Sequence, residues 1–530
     1  MLRLTNLSLP PDYTEESLRA AVAKKCGILP DQLLACAVAK RSVDARDKSD
    51  VRLVLAVHFK VKNEQALLKK CRFLSPVPGI PRLTLPVPRF SAPPLVVGAG
   101  PAGLFAALTL ARAGARPVLI ERGRPVGERS ADVERMSADG ILDPESNVQF
   151  GEGGAGAFSD GKLTCGVRSP YLHTVLETFV SHGAPREILT DSMPHIGTDR
   201  LKGVVASIRG EIISLGGSVL FETRLEELIL RGHHLEGAVL SHAGERREFL
   251  TDTVLLCIGH SARDTVQSLF SQGIRMVQKP FAMGVRIEHP RAFIDRAQYG
   301  AFAGHPALGA ASYKLICHTP DGRGVYTFCM CPGGHVIAAA SQPGGVAVNG
   351  MSFHARDAEN SNSALLVGVR PEDFGDDHPL AGMVLQRSIE KAAFSSAGGG
   401  FRAPAQRVED FLSDRASAGF GAVRPSYRPG VVPADLRAVL PAFITEDLKK
   451  GIRAMNAQLA GFAMPDAVLT APETRSSSPV RLPRDGGGEA EGCAGLFPVG
   501  EGAGYAGGIV SAAVDGISSA VRAMEKSTLI

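Results

Sequence analysis

Several features that would place the chain in common protein classes are missing from its sequence. Its 58 basic and 54 acidic residues are mixed without a long basic run, so no electrostatic footprint for nucleic acid is indicated. The nine cysteines are odd in number and show no framework spacing, which favours a reducing compartment over a disulfide scaffold. No window approaches ~20 uninterrupted apolar residues, so no membrane-spanning helix is expected.

The N-terminal stretch also lacks the pattern of a targeting segment. It has no positively charged lead followed by an apolar core, and Asp12, Glu15 and Glu16 argue against a transit peptide. We therefore expect a cytoplasmic protein without a membrane partner.

Glycine, by contrast, is abundant. The chain has 59 glycines in 530 residues, about 11%, against a usual ~7%. No collagen period or low-complexity tract accounts for them, so many are expected at tight turns or close backbone approaches. The composition favours a globular chain that binds something along its backbone.

The texture of the sequence divides the chain into five segments. A small α/β pattern is followed by a proline-rich stretch, which predicts an extended linker. A strand, glycine loop, helix and strand come next, and a strand–glycine loop–helix pattern returns at the C-terminal end. We predict a small N-terminal α/β domain (1–75), a linker (76–94), the first part of a dinucleotide-binding domain (95–265), an inserted α+β substrate domain (266–470) and the C-terminal part of the dinucleotide-binding domain (471–530).

A dinucleotide-binding motif follows the linker. An apolar strand leads into Gly98-Ala-Gly100-Pro-Ala-Gly103 and an apolar-periodic helix. In this pattern Gly98 makes the turn, Gly100 lets the backbone approach a pyrophosphate, and Gly103 permits close packing of helix on strand. Pro101 suits the first helical turn, whose free amides favour phosphate. Glu121, at the end of the next strand, can accept both ribose hydroxyls and repel a 2′-phosphate.

Three further features favour FAD over NAD. A buried strand ends at Gly259, as a middle strand does in two-dinucleotide-fold flavoproteins. Gly500-Glu501 resembles their closing Gly-Asp segment, with a carboxylate one methylene longer. Gly508-Ile509 opens a C-terminal helix whose positive end would stabilise anionic reduced flavin, although a terminal helix that only closes the core is the alternative.

The glycine stretch 149–162, which includes Gly153 and Gly154, has two interpretations. It could fold over the pyrophosphate or the flavin ring, or it could be a flexible surface loop. The flanking Phe150 and Phe158 favour an ordered, partly buried loop in contact with the cofactor.

Longer motifs carry a family resemblance. They are FGEGGAGAFSDGKL (150–163), CIGHSARDT (257–265), KPFAMGVRIEHP (279–290), YTFCMCPGG (326–334), VNGMS (348–352) and GEGAGYAGGIVSAAVDGI (500–517). In these stretches the chain resembles the bacterial family of uncharacterised FAD-dependent dehydrogenases, over nearly its whole length. The resemblance implies an α/β fold with a Rossmann-like FAD-binding domain of the glutathione-reductase type and an inserted second domain, but no particular substrate.

The same resemblance implies the contacts to the cofactor. Carried over by position, they are Gly98, Gly100, Ala102, Gly103, Glu121, Gly154, Gly259, Glu501 and Ile509, with backbone atoms of Leu225 holding the adenine. To these we add the neighbouring Pro101, Arg122, Gly153, Gly500 and Gly508. We expect non-covalent FAD, and NAD(P)H is considered as a transient electron donor.

A pair of cysteines is a candidate for the chemistry. Cys329 and Cys331 would share one face of a strand. They could form a redox relay with Cys331 as a catalytic residue, or they could be two buried apolar groups, which we favour. A metal site would add Cys317, His318 and His335, but their spacing fits no common structural zinc pattern, so we predict no metal.

Two positions in the inserted domain are predicted on the substrate side. Arg286 and His289 stand where polar and apolar residues alternate, which is typical of a strand with one side facing solvent or a site. Arg286 could bind a substrate carboxylate; the alternative is an ion pair with Glu288 or another carboxylate.

Three more side chains are catalytic candidates. His260 directly follows the strand that ends at Gly259, so we expect it near the cofactor. Arg475 precedes the closing flavin segment and could stabilise reduced flavin or anchor an anionic substrate; otherwise it would form a salt bridge to Glu473 or Asp485. Tyr505 is the aromatic candidate for stacking or proton donation.

The sequence therefore predicts an FAD-dependent oxidoreductase that acts on a small organic substrate. A flavin monooxygenase is one alternative. Another is a flavoprotein whose N-terminal domain recruits RNA, although the modest basic bias of residues 19–72 lacks interleaved aromatics and is explained more simply by a solvated face.

Overall fold

The computed structural model describes residues 1–79 and 83–528, so the predicted linker 76–94 and the predicted segment 471–530 each include residues outside the described part. The strands, in chain order, are β1 (Leu2–Leu9), β2 (Ala35–Asp44), β3 (Arg52–Lys60), β4 (Leu74–Pro76), β5 (Leu95–Val97), β6 (Val118–Ile120), β7 (Ser218–Leu220), β8 (Thr223–Arg231), β9 (His234–His242), β10 (Glu245–Leu250), β11 (Val254–Leu256), β12 (Val277–Gln278), β13 (Phe281–Pro290), β14 (Ile316–His318), β15 (Gly324–Cys331), β16 (His335–Ala338), β17 (Val348–Met351), β18 (Asn360–Val369), β19 (Ala403–Arg407), β20 (Val431–Pro433), β21 (Val468–Glu473), β22 (Val480–Arg481) and β23 (Leu496–Pro498).

The helices, in chain order, are α1 (Glu15–Cys26), α2 (Glu64–Lys70), α3 (Pro101–Arg112), α4 (Val126–Asp139), α5 (Leu172–Ser181), α6 (Thr198–Ser214), α7 (Arg263–Ser271), α8 (Arg291–Tyr299), α9 (Ala381–Ser396), α10 (Val408–Leu412), α11 (Ala442–Gln458) and α12 (Ile509–Ser527). Short 3-10 turns lie at Pro30–Gln32, Ala155–Phe158, Arg186–Leu189, Gly300–Phe302, Pro371–Phe374 and Leu436–Ala438. Within the described residues, none of these helices has the length and apolar character that a bilayer crossing requires.

The N-terminal unit is an antiparallel sheet that shares one apolar core with α1 and α2. Its strand order is β2-β3-β1-β4, and the chain order βαββαβ makes this the ferredoxin-like arrangement. Thr14 caps α1 by accepting a hydrogen bond from the Ser17 amide at 3.2 Å, and Gly27 ends the helix in the left-handed conformation. Strand β2 is an element that the sequence pattern did not reveal.

The dinucleotide-binding domain is built on a parallel sheet with the strand order β23-β11-β5-β6-β7. Strands β5, β11 and β23 are buried throughout, as parallel strands covered on both faces are. One face packs on α3, α6 and α12, and the other packs on the antiparallel sheet β8–β10. Because β23 pairs with β11, the C-terminal segment returns to the sheet that the first part began.

The inserted segment forms a second, larger sheet. Its strand order is β14-β15-β18-β13-β21-β19-β20, and it is mixed because β19 and β20 run parallel. One face, with alternate residues of β13 and β18, belongs to the apolar core that includes α11. Strand β21 continues to Glu473, beyond the predicted domain boundary at 470.

The chain crosses between the two domains twice at the same place. Strand β12 leads into the large sheet and β22 leads back. The two pair antiparallel, with Val277 opposite Arg481 and Gln278 opposite Val480. The insert therefore leaves and re-enters the dinucleotide-binding domain side by side.

A buried ion cluster joins these crossings to α9. The Glu390 carboxylate accepts hydrogen bonds from Arg263 at 2.8 and 2.9 Å and from Arg475 at 3.0 Å twice. The Thr474 hydroxyl donates to it at 2.8 Å. Burial raises the pKa of Glu390, but the charges of Arg475 and Arg263 outweigh it and hold that pKa far below its usual range. Glu390 therefore remains an anion between two cations.

We expect Glu390→Gln to destabilise the protein strongly, because it leaves two buried guanidinium groups without a counter-charge. Removing one partner of a buried ion cluster costs about 3–5 kcal/mol, which denaturant unfolding would measure. Glu372→Gln, at an exposed position, is the control and should change the free energy of unfolding by less than about 0.5 kcal/mol. Equal stability of the two variants would contradict the role of Glu390.

Candidate functional site

The first glycine loop closes the turn from β5 into α3. Gly98 has a φ of +100°, and a Cβ there would lie 2.5 Å from the carbonyl oxygen of Cys257. A Cβ at Gly103 would lie 1.8 Å from the carbonyl oxygen of Gly98. Pro101 begins α3 and no side chain caps the helix, so its first amides stay available to an anion. The turn and the close packing expected from the glycine spacing are both present.

Glu121 is buried at the end of β6 and binds three backbone amides. One oxygen accepts from Ala99 at 2.8 Å, and the other accepts from Gly123 and Gly151 at 2.9 Å each. The carboxylate thus joins the first glycine loop to the second glycine loop (149–156). A carboxylate has about four acceptor sites, so about one remains for a ribose hydroxyl. This corrects the expectation that Glu121 binds both hydroxyls.

The second glycine loop packs directly on the first. The Gly153 amide donates to the Ala99 carbonyl at 2.8 Å, and a Cβ at Gly154 would lie 3.0 Å from the Cα of Gly100. Of the two interpretations of this stretch, the structure has the ordered loop. It lies against the turn where the cofactor phosphates are expected.

A buried arginine that sequence reasoning missed holds this loop. Arg129 of α4 is 0% exposed. It donates to the carbonyl oxygens of Asn147, Val148, Gly151 and Glu152 at 2.6 to 3.1 Å. Its surroundings in the sequence are charged and resemble a solvated helix, so no local signal identifies it.

The C-terminal helix meets both glycine loops. Gly508 precedes α12 with a φ of +134°, and no side chain caps the helix. A Cβ at Gly156 would lie 3.0 Å from Cγ1 of Ile509 and 3.7 Å from Cγ of Pro101. The second glycine loop therefore lies between the N-terminal ends of α3 and α12.

Gly259 and Gly500-Glu501 lie at the carboxyl ends of the adjacent strands β11 and β23. A Cβ at Gly259 would meet no heavy atom within 4 Å, whereas one at Gly500 would lie 2.9 Å from the Cβ of Ala102. His260 Nδ1 lies 3.7 Å from Glu501 Oε2. Its Nε2 is buried and has no hydrogen-bond partner among the described residues. His260 thus lies beside two of the positions predicted to bind the cofactor.

Leu225 and Arg122 differ in what they can offer a cofactor. The Leu225 side chain is 3% exposed in the core between the two sheets, which leaves only its backbone. Arg122 donates to Glu145 at 2.7 Å and to Asp264 at 2.8 Å and lies over the Phe150 ring at 4.2 Å. Its guanidinium is therefore engaged by protein groups, and the contact of Arg122 with the cofactor stays a prediction.

Arg475 and Tyr505 are both engaged by protein groups. Arg475 is buried and bound to Glu390, instead of the expected Glu473 or Asp485. Its charge is therefore not free for reduced flavin or an anionic substrate. Tyr505 lies 3.8 Å from the Arg484 guanidinium, and its hydroxyl accepts from the Arg484 amide at 3.1 Å.

Arg286 forms the ion pair that was its alternative role. It is 0% exposed and donates to Glu473 at 3.1 and 3.3 Å and to Asn362 at 2.6 and 3.1 Å. Its partner is Glu473, whereas Glu288 accepts hydrogen bonds from Ser426. A substrate carboxylate therefore finds no free charge at Arg286, contrary to its substrate-side prediction.

His289 lies in the apolar core instead of on the substrate side. It is 0% exposed, and its Nε2 lies 2.8 Å from the carbonyl oxygen of Phe462. Burial lowers the pKa of His289 to about 4, so it is neutral at physiological pH. The neighbouring Ile287 faces the same core.

The two glycine loops, α12 and the end of β11 together make a cradle for an extended ligand. Two helix N-termini without side-chain caps suit phosphates and other anionic groups. No heavy atom lies within 4 Å of a Cβ built at Gly259 or Gly508, and the unpartnered His260 Nε2 leaves a polar atom to satisfy. The fold and this cradle define an α/β protein that binds a dinucleotide.

Comparisons with known proteins give the family. Residues 280–476 match the model described as "FAD-dependent protein, C-terminal domain-like", residues 96–152 match "NAD(P)-binding Rossmann-like domain", and residues 1–60 match "Domain of unknown function (DUF8436)". An uncharacterized protein of Clostridium beijerinckii is 45% identical over 533 residues, which cover 100% of this chain and 99% of that protein. The chain belongs to this family of FAD-dependent proteins, and FAD is its cofactor. The resemblance seen in the sequence is confirmed.

The chain is also similar to solved structures at low identity. A geranylgeranyl bacteriochlorophyll reductase-like protein from Thermoplasma acidophilum is 12% identical with a TM-score of 0.37, covering 82% of each chain. A 3-ketosteroid-Δ4-(5α)-dehydrogenase from Rhodococcus jostii is 13% identical with a TM-score of 0.34, covering 82% of this chain and 96% of that chain. Values this low do not bear on the function of this protein.

We expect Gly103→Ala to lower FAD affinity by roughly tenfold or more, because its methyl group would collide with the Gly98 carbonyl. A loss of about 1.4 kcal/mol of binding free energy corresponds to that factor. The flavin absorbance of the purified protein measures this. Gly203→Ala is the matched control, because a Cβ there meets no atom within 4 Å. Full flavin content in both variants would contradict the role given to Gly103.

Proposed function

We propose that the protein is an FAD-dependent oxidoreductase that passes a hydride or electrons between bound FAD and a small organic substrate. The observation that carries this proposal is the arrangement of α3 and α12 on either side of Gly156. One helix N-terminus favours the pyrophosphate. The other favours negative charge on a reduced flavin, which a protein that only stored the dinucleotide would not need.

Residues from the whole of the dinucleotide-binding domain would hold FAD without a covalent bond. The backbone at Gly100 would approach the pyrophosphate, and the remaining acceptor site of Glu121 would take a ribose hydroxyl. The backbone of Leu225 would hold the adenine, Glu501 would bind the ribityl chain, and Ile509 would begin the helix that faces the flavin. When bound, FAD supplies the hydride or electron transfer.

Contacts between the second glycine loop and the insert support a substrate position between the two domains. The Gln149 side chain donates to the Ala339 carbonyl at 3.2 Å and accepts from the Ser261 hydroxyl at 2.9 Å. Lys162, just after the loop, donates to the Met330 carbonyl of β15. These contacts bring the insert against the second glycine loop, and we infer that the substrate binds between the two domains.

NAD(P)H is proposed as a transient electron donor only. The Gly98–Gly103 motif is the one convincing dinucleotide motif in the sequence, and FAD occupies it in this proposal. A nicotinamide would then reach the flavin from the substrate side and leave after each transfer.

Anaerobic mixing of the flavin-loaded protein with NADH, NADPH and a panel of organic metabolites tests this function. We expect at least one compound to bleach the flavin absorbance, because a hydride donor that reaches the ring reduces it. The Gly103→Ala protein, with little flavin, serves as the control and should consume little of that compound. Failure of the wild-type protein to retain or rebind FAD would overturn the proposal.

A further inference from the structure

Cys329 and Cys331 lie together at an irregularity in β15. The pairing of β15 with β18 shifts between Phe328 and Cys331. Cys329 has a φ of +41°, a left-handed conformation that is uncommon for a residue with a side chain. The Cys331 thiol donates to the carbonyl oxygen of Cys329 at 3.3 Å.

The two cysteines differ in burial. Cys331 is 0% exposed, which fits a small apolar core residue. Cys329 as a residue is partly exposed, so this explanation does not cover the pair.

Two cations lie beside the pair. Lys162 donates to the Met330 carbonyl, between the two cysteines. Arg286 Nη2 lies 2.9 Å from the carbonyl oxygen of Cys329 and 3.6 Å from Cys331 Sγ. Positive surroundings of this kind favour a reactive thiolate.

The pKa of Cys329 follows from these neighbours. The hydrogen bond from Cys331 lowers it, burial raises it, and the charges of Lys162 and Arg286 lower it further. Glu473 opposes them, but it is paired with Arg286 at 3.1 Å. The balance holds the pKa of Cys329 below its usual value.

Lys162 also connects the pair to the cofactor domain. It follows the second glycine loop, and it lies 3.3 Å from Asp160, which is fully buried and bound to Arg356. The cysteines therefore lie where the large sheet meets the loop that packs on the dinucleotide motif. Nothing in the sequence around Ser159-Asp-Gly-Lys162 indicates that Lys162 reaches β15.

We infer that Cys329 and Cys331 form a redox-active dithiol that exchanges an electron pair with bound FAD; this rests on the proposed oxidoreductase function. Closing the S–S bond breaks two S–H bonds and releases two protons and two electrons. The electron pair and one proton pass to oxidised FAD, and the second proton passes to solvent. In the opposite direction, reduced FAD opens the disulfide and restores both thiols.

Thiol counting tests the dithiol without any turnover. The FAD-loaded protein is oxidised in air and then unfolded in denaturant in the presence of iodoacetamide, which alkylates free thiols. The products are examined by mass spectrometry. Of the nine cysteines, we expect all but Cys329 and Cys331 to be alkylated, and all nine to be alkylated after prior reduction. Alkylation of all nine without reduction would overturn the inference.

Anaerobic titration with dithionite tests the exchange with the flavin. The wild-type protein should take up about four electrons per FAD, two for the flavin and two for the disulfide, and Cys331→Ser should take up about two. Cys317→Ser, on the neighbouring strand β14, is the matched control and should take up about four. Two electrons in the wild-type protein would overturn the inference. If the wild-type protein takes up about four electrons per FAD but oxidises or reduces no substrate, only the proposed function is contradicted.

Lys162 is a positioning residue for this pair, and the pH profile of Cys329 alkylation tests it. Because a cation within reach lowers a thiol pKa, Lys162→Gln should move the profile upward by about 1 pH unit or more, and Lys162→Arg should restore it. Both variants keep a side chain of similar length. An unchanged profile in Lys162→Gln would contradict the electrostatic role of Lys162.

Discussion

The joint between the two domains depends on the single carboxylate of Glu390. A buried charge is tolerated only when an opposite charge pairs with it. Arg263 and Arg475 both form their ion pair with the Glu390 carboxylate. Arg263 follows the end of β11, where the flavin is expected. Arg475 lies two residues after Glu473, the partner of Arg286. The ion cluster therefore links α9 of the insert to the start of α7 and to the segment that follows β21.

The glycine loops illustrate the same principle on a smaller scale. A loop of glycines has little side-chain surface to pack, so its order must come from backbone hydrogen bonds. Glu121 collects amides from both loops, and Arg129 collects carbonyls from the second loop. An anion and a cation, both buried, thus replace the packing that the loops lack.

The parts of the site that the sequence predicts are the local ones. The Gly98–Gly103 motif and the glycine before α12 can be recognised from the sequence alone. In each, the turn, the helix start and the expected ligand contact fall within a few residues. Arg129 and Glu390 could not be found this way, since each looks like an ordinary polar helix residue until distant segments pack on it. His289 was placed on the wrong side because residues an odd number apart on a strand, such as Arg286 and His289, face opposite ways.

The pairing of β12 with β22 brings the two ends of the insert together at one place. Val277 and Arg481 are directly opposite in an antiparallel pair, so their Cα atoms lie about 5 Å apart. A segment whose ends are that close can be lengthened, shortened or exchanged without moving the strands on which the cofactor domain is built. A replacement insert would still have to pair Arg263 and Arg475 as Glu390 does and to meet the second glycine loop as Ala339 does.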